Sequence, residues 1–125
     1  MKTASLELCE KLYELSGWKD TVMEWGEHGL QFVEGINNTA NGFIPAYDLG
    51  YLLRKLPAMH PDTKAPLVLA QFPYTKQWGC DYAFNIGFDN AKIADTPEDA
   101  ACKLAIELFK QGILTPLTIK EMRSK

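Results

Sequence analysis

The clearest hydrophobic pattern in the chain lies between Thr96 and Gly112. Thr96 suits a helix N-cap, Pro97 suits the first helical position, and Asp99 brings negative charge to the positive end of the helix dipole. Apolar residues then recur at helical spacing, opposite a charged side formed by Glu98, Lys103, Glu107 and Lys110: Ala101, Leu104, Ala105 and Leu108. The pattern predicts a helix that runs to residue 111 and ends before Gly112.

Two further segments have helical periodicity. Residues 5–15 place Leu8, Cys9, Leu12 and Leu15 on one face, and Gly17 follows as a stop signal. Residues 45–56 carry an apolar stripe of leucines and end before Pro57. Gly50 lies inside this second segment, where it costs about 1 kcal/mol relative to alanine, so we expect a neighbouring element to pack closely against it.

Short β-branched and aromatic segments predict the strands. Residues 21–25 and 30–34 are joined by a glycine-flanked turn, and residues 67–72 and 82–88 flank a hairpin loop at 75–79. The strict alternation from Tyr82 to Phe88 places its aromatic residues on one face. Ile93 predicts a short edge segment before the last helix.

This order of elements predicts an α+β fold with a small, mostly antiparallel sheet of about four strands. Three amphipathic helices exceed what one face of such a sheet accepts, so helices are expected on both faces, as an α/β/α sandwich. The 125 residues show no repeat, no low-complexity run and no linker, which predicts one domain over residues 1–125.

Composition narrows the functional classes. A net charge of −3 and a pI near 5.3 argue against direct binding of nucleic acid, which usually requires a basic face. No apolar run approaches the roughly 20 residues of a membrane helix. Three cysteines without a paired spacing fit a reducing compartment, so a cytoplasmic location is expected.

No catalytic or metal-binding motif is present. His28 and His60 lack partners at ligand spacing and are interpreted as surface-loop residues, and Cys80 stands beside Asp81, whose charge disfavours a thiolate. Common hydrolase, protease and nucleotide-phosphate signatures are absent. We therefore expect no enzymatic activity, no cofactor and no metal.

Aromatic and acidic residues provide the candidate binding surfaces. Tyr74 and Trp78 bracket the predicted hairpin tip, where tyrosine and tryptophan favour an interface. Packing of Trp78 over the adjacent helix is an equally good interpretation. Glu24, Glu27 and Glu34 form an acidic group that is either a recognition face or, more simply, a solvated rim.

Three helical stretches carry a resemblance to a known family: residues 8–18 (LCEKLYELSGW), residues 44–57 (IPAYDLGYLLRKLP), and residues 95–109 (DTPEDAACKLAIELF) followed by Gly112-Ile113-Leu114. In this order they cover most of the chain, and they resemble a family of small phage and prophage proteins described as the phage ABA sandwich domain. The resemblance implies a fold and a phage origin, and it implies no site residue.

Phage origin suggests three functional hypotheses. The first is a non-catalytic accessory protein that binds or inhibits a host protein in host takeover or anti-defence, for example as an anti-CRISPR-type inhibitor. The second is a homo-oligomer that sequesters a small, nucleotide-like signalling molecule. The third, a small enzyme, requires a clustered site that the sequence does not contain.

Overall fold

The computed structural model describes residues 2–33, 42–84 and 91–116. Within these residues it contains three helices and six strands. In chain order they are α1 (Leu6–Ser16), β1 (Met23–Gly26), β2 (Gly29–Phe32), β3 (Ile44–Ala46), α2 (Leu49–Lys55), β4 (Leu67–Gln71), β5 (Trp78–Tyr82), β6 (Lys92–Ala94) and α3 (Pro97–Lys110).

The predicted start and end of the last helix are confirmed in α3. The Thr96 hydroxyl accepts from the Asp99 N–H at 3.1 Å, and Pro97 occupies the first turn. At the other end Gly112 has φ +78°, while the Ile113 N–H donates to the Leu108 carbonyl at 2.9 Å. This pairing is the Schellman arrangement, and it satisfies carbonyls that the helix itself leaves unpaired.

Helix α3 is also the centre of the molecule. It contacts α1, α2 and all three strands β4, β5 and β6. Eight of its 14 residues are buried: Glu98, Ala100, Ala101, Cys102, Leu104, Ala105, Ile106 and Leu108. The predicted charged side is therefore wrong for Glu98, whose Oε2 has no hydrogen-bond partner among the described residues. A helix buried on several sides needs small residues, and its alanines supply them.

Helix α1 confirms the first predicted helix. Ser5 caps it by accepting from the Leu8 N–H, and Gly17, with φ +69°, ends it. The Asp99 carboxylate accepts from the Ser5 N–H at 2.8 Å, so one side chain joins the starts of α1 and α3. The Cys102 thiol reaches the Leu8 carbonyl at 3.7 Å along the same contact.

The six strands form two antiparallel three-stranded sheets, in the orders β2-β1-β3 and β4-β5-β6. The predicted α+β class is confirmed, and the layers are roughly those of a small sandwich. The strand count is corrected from about four strands in one sheet to six in two sheets. Helix α3 packs on the second sheet, and α1 contacts both α3 and β3, so the helices connect the two sheets.

Residues 45–56 do not form one helix. Pro45 lies in β3, and α2 begins only at Leu49, after Asp48 caps it. The hydrogen bond from the Val33 N–H to the Val22 carbonyl shows which residues of β1 bond to β2, and Glu24 is one of them. Pro45 lies opposite Glu24, so its nitrogen points away from β1. Proline is tolerated at that position because no ladder donor is lost. Gly50 is exposed, so the expected close packing against it is also wrong.

The strand predicted at 82–88 begins earlier. Strand β5 covers Trp78–Tyr82, and residues 85–90 lie outside the described residues. Trp78, Cys80 and Tyr82 point to the core beside α3, while Gly79 and Asp81 lie on the opposite face. The apolar alternation therefore precedes Tyr82, and Phe84 is exposed to solvent.

Candidate functional site

The tip of the β4–β5 hairpin presents one aromatic side chain to solvent. Tyr74 is 98% exposed, in a turn between Phe72 and Gln77. The Phe72 N–H donates to the Gln77 carbonyl at 2.8 Å, and the Lys76 N–H donates back to the Phe72 carbonyl at 2.9 Å. The side chain of Gln71 donates to the Lys76 carbonyl at 3.1 Å. Because several bonds close this turn, the position of the Tyr74 backbone is fixed without a partner.

Trp78 does not share the tip with Tyr74. It is the first residue of β5, where it is paired with Gln71 on one side and Ala94 on the other. Its side chain is half-buried and packs against the core cluster. The predicted tip loop at 75–79 is therefore placed too late in the chain, since residues 72–77 connect β4 to β5, and the two aromatics do not form one exposed cluster.

The predicted acidic group is not one surface. Glu24 is fully buried in β1, where its Oε2 accepts from the Gln31 amide at 2.7 Å. Glu27 is exposed in the two-residue turn between β1 and β2. Glu34 lies outside the described residues. Of the three carboxylates, only that of Glu27 is described at the surface.

A polar cleft of about 540 Å³ opens between α3 and the end of the second sheet. The charged and aromatic groups come from the loop before β4, from β5, from β6 and from α3: His60, Tyr82, Lys92 and Glu107. Leu104 and Leu108 form an apolar part of its wall. A volume of this size is in the range of small-molecule sites.

Local hydrogen bonds fix His60 and Tyr82 in the cleft. The His60 Nδ1 accepts from the N–H groups of Asp62 and Thr63 at 3.1 and 3.3 Å, so the proton of the neutral ring is on Nε2. The Tyr82 hydroxyl donates to the Pro57 carbonyl at 2.6 Å, and its ring meets that of His60 edge-on at 5.5 Å. Burial raises the pKa of Tyr82 to about 12, so its hydroxyl stays a donor at neutral pH.

A second recess of about 530 Å³ lies beside Trp18. The Lys55 ammonium lies 5.5 Å from the Trp18 ring and 5.4 Å from the Tyr51 ring, and it is 3.8 Å from the Asp20 carboxylate. The Tyr51 hydroxyl also hydrogen-bonds to Asp20. Partial burial acts to raise the pKa of Asp20, but Tyr51 and Lys55 outweigh it and the pKa is lowered. Much of the aromatic content therefore closes the core near α2.

The three cysteines are buried free thiols. Burial raises the pKa of Cys80 to about 12, and it also raises the pKa of Cys9 and of Cys102. A thiol in this state is a poor nucleophile at neutral pH. No group of three or more potential metal ligands occurs within residues 2–33, 42–84 and 91–116. In the same described part of the chain, no helix has the length and apolar character needed to cross a membrane.

Comparison of the chain with protein-family models, with curated proteins and with solved structures finds no match. The resemblance to the phage family stays a prediction from the three helical stretches. The function must therefore be argued from the surface and the clefts alone.

The sequence predicted one of these features, the exposed Tyr74, and did not predict the other, the polar cleft. Tyr74 follows directly from its place between two strand segments. The cleft was missed, because its residues come from four separate segments of the chain and carry no common spacing. Its only sequence signal is His60 beside Asp62, in a proline-rich loop.

Proposed function

We propose that this chain is a non-catalytic protein-binding module of phage origin, which acts on a host protein in the bacterial cytoplasm during host takeover or anti-defence. The observation that carries the binding role is the exposure of Tyr74 on a hydrogen-bonded turn. The phage origin rests on the resemblance of the three helical stretches.

The state of Tyr74 before binding supports an anchor role. A tyrosine contributes large contact area with a polar end, and it is enriched among the residues that dominate binding energy. Ordering a mobile loop costs free energy on association, and a turn that is already closed avoids most of that cost. Tyr74 therefore offers its full side-chain surface to a partner at a low entropic cost.

The non-catalytic part of the proposal is supported by the state of the nucleophiles. Cys80 is fully buried, with the raised pKa described above. His60 is held by two backbone donors on one ring nitrogen. Neither arrangement resembles a nucleophile activated by a neighbouring base.

The test is affinity capture from bacterial lysate with the wild-type chain and two single variants. Tyr74→Ala removes the exposed tip. Phe32→Ala is the matched control, because Phe32 is 68% exposed on the edge strand of the other sheet. The captured protein is then purified, and its affinity for all three chains is measured by calorimetry.

We expect Tyr74→Ala to lose about 2 kcal/mol of binding free energy, roughly a thirtyfold loss of affinity. Phe32→Ala should bind as the wild type does. Equal binding by all three chains would place the interface elsewhere, and capture of no protein by the wild type would refute a protein partner.

The polar cleft supports a second candidate, the binding of a small polar molecule such as a nucleotide. Lys92 is a half-buried cation in its wall, and within the described residues it makes no ion pair. Tyr82 adds an aromatic surface, and Glu107 and Gln111 add acceptors and a donor. Such a mixture suits a molecule with both an anionic group and a hydrogen-bonding ring.

This second candidate is tested by denaturing the purified chain and analysing the released small molecules by ultraviolet absorbance and mass spectrometry. Lys92→Ala should abolish the bound species, and Lys110→Ala, an exposed lysine at the end of α3, should not. A wild-type chain that releases no ligand, and that binds none of a panel of nucleotides, would refute this candidate.

A further inference from the structure

The two edges of the β4-β5-β6 sheet differ in whether their backbone groups are paired. At the β6 edge, the Lys103 ammonium donates to the Ile93 carbonyl at 2.9 Å. Ile93 faces Gly79, whose own ladder bonds go to β4, so the Ile93 carbonyl points away from the sheet. A side chain of α3 therefore covers this edge.

Among the described residues, none covers the β4 edge in this way. The bonds from Phe72 to Gln77 and from Ala83 to Pro66 fix which residues of β4 bond to β5, namely Val68 and Ala70. The N–H and C=O groups of Leu69 and Gln71 consequently point outward. No hydrogen bond to these four groups is present in the described part of the chain.

At each end of this open edge, no free N–H group follows. At one end the Leu67 N–H, which also points outward, donates to the Ala58 carbonyl at 2.9 Å. At the other end Pro73 has no N–H to offer. No proline and no lysine, the usual protection of edge strands, occurs within Leu67–Gln71. Two residues thus present alternating donors and acceptors to a further strand.

We propose that β4 of one chain pairs with β4 of a second copy in antiparallel, two-fold symmetric fashion. The β4-β5-β6 sheets of the two copies then form one sheet of six strands. In the register that places Leu69 opposite Gln71 of the second copy, both residues exchange N–H and C=O groups. All four open groups of each chain are then used, and the partial charges of the two edges are complementary at every bond.

The pairing in this register is limited to residues 68–72 of each chain. Ala58 already lies opposite Leu67 and accepts from its N–H. Each chain leaves the edge at Pro73, where the hairpin turn begins and where there is no N–H to leave without a partner. On the face away from α3, Ala70 meets Ala70 of the second copy at the symmetry axis. Val68 meets Phe72 of the second copy on either side. This face therefore pairs small or apolar side chains across the axis.

The edge strand β2 of the other sheet is a weaker candidate for pairing with a second copy. Strand β2 has four residues, and its first residue, Gly29, has φ +104°, outside the extended region. Its regular part is too short to offer the five-residue edge that β4 provides. The choice of β4 thus follows from both length and backbone conformation.

The symmetry axis at Ala70 provides a sharp test by charge. The native mass and sedimentation of the full chain are measured over a concentration series for wild type, Ala70→Glu, Ala70→Lys and Ile93→Glu. Ile93 is 45% exposed on the same face but at the covered edge, so its variant is the matched control. We expect a dimer for the wild type and for Ile93→Glu.

Each Ala70 variant alone places like charges directly opposite each other, which should weaken the dimer at least about tenfold. An equimolar mixture of Ala70→Glu and Ala70→Lys should restore a dimer with one copy of each. A monomeric wild type, or Ala70 variants that each dimerise as the wild type does, would overturn the proposal.

Amide hydrogen exchange gives a second measurement that needs no variant. The N–H groups of Leu69 and Gln71 should exchange slowly in the dimer and become fast on dilution, whereas those of Val68 and Ala70 should stay slow at every concentration. Fast exchange at Leu69 and Gln71 in concentrated protein would refute the pairing, even if the Ala70 variants do not fold.

Discussion

Helix α3 and the β4–β5 hairpin pack against each other, yet they meet solvent in opposite ways. The helix is buried on several sides and ends in satisfied caps. The hairpin has one face on α3, an open edge at Leu69 and Gln71, and a fully exposed residue at its tip. The contrast indicates that substitutions in α3 should act on folding, while substitutions at the tip and outer edge of the hairpin can act on association.

The largest expected difference in the free energy of unfolding comes from placing one negative charge in α3 and the same charge at the hairpin tip. Leu104→Asp puts an unpaired carboxylate in a site that is 2% exposed, and it should cost more than about 4 kcal/mol. That is comparable with the whole stability of a small domain, so the variant should not fold. Tyr74→Asp, the same charge at the exposed tip, should change the free energy of unfolding by less than about 0.5 kcal/mol. Circular dichroism with urea denaturation measures both, and an unchanged midpoint for Leu104→Asp would show that α3 is not the centre of the core.

A smaller difference in the free energy of unfolding is expected between alanine variants of the two aromatic residues, Trp78 and Tyr74. Trp78 packs against the core cluster while Tyr74 does not, so Trp78→Ala should lose about 2–3 kcal/mol of stability and Tyr74→Ala less than about 0.5. Both are measured at one low protein concentration, so that association does not contribute. Equal, small losses for both variants would mean that Trp78 belongs to the exposed surface and not to the core.

The smallest effect compares one substitution in two turns. Thr96→Ala removes the cap of α3, in which the hydroxyl accepts from Asp99, and should cost about 1 kcal/mol. Thr75→Ala removes a hydroxyl that accepts from the Gln77 N–H at 3.3 Å in the exposed hairpin turn, and should cost less than about 0.5 kcal/mol. Thermal unfolding of the two variants ranks them, and a larger loss for Thr75→Ala would reverse the comparison.

The helix ends could be predicted because they depend on neighbouring residues. Thr96, Pro97 and Gly112 act through local backbone geometry, and the structure confirms their roles. Gly17 does the same for α1, and Ser5, the first residue of the predicted helix, is its N-cap. These positions need no knowledge of the rest of the fold.

Other features depend on which elements meet, and local patterns did not predict them. The local pattern predicted that a helix begins at Pro45, but pairing with β1 makes residues 44–46 a strand. Glu24 reads as a surface residue, but it is buried with Gln31 across the strand pair. The alternation of Trp78, Cys80 and Tyr82 was a usable signal for β5, obscured by the aromatic run that follows it. The polar cleft required four elements to be assembled first.

The bond between Ser5 and Asp99 has a consequence for how the chain folds as it is synthesised. Helix α1 emerges from the ribosome early, but its contact with α3 forms only after more than ninety further residues have been added. At translation speeds of about 5 to 20 residues per second, this takes roughly 5 to 20 s. The part of α1 that packs on α3 stays uncovered during that time, although β3, which is synthesised earlier, can cover another part of the helix. Docking of α1 on α3 is therefore a late event, and its long sequence separation predicts slower folding than for a helix pair joined by a short turn.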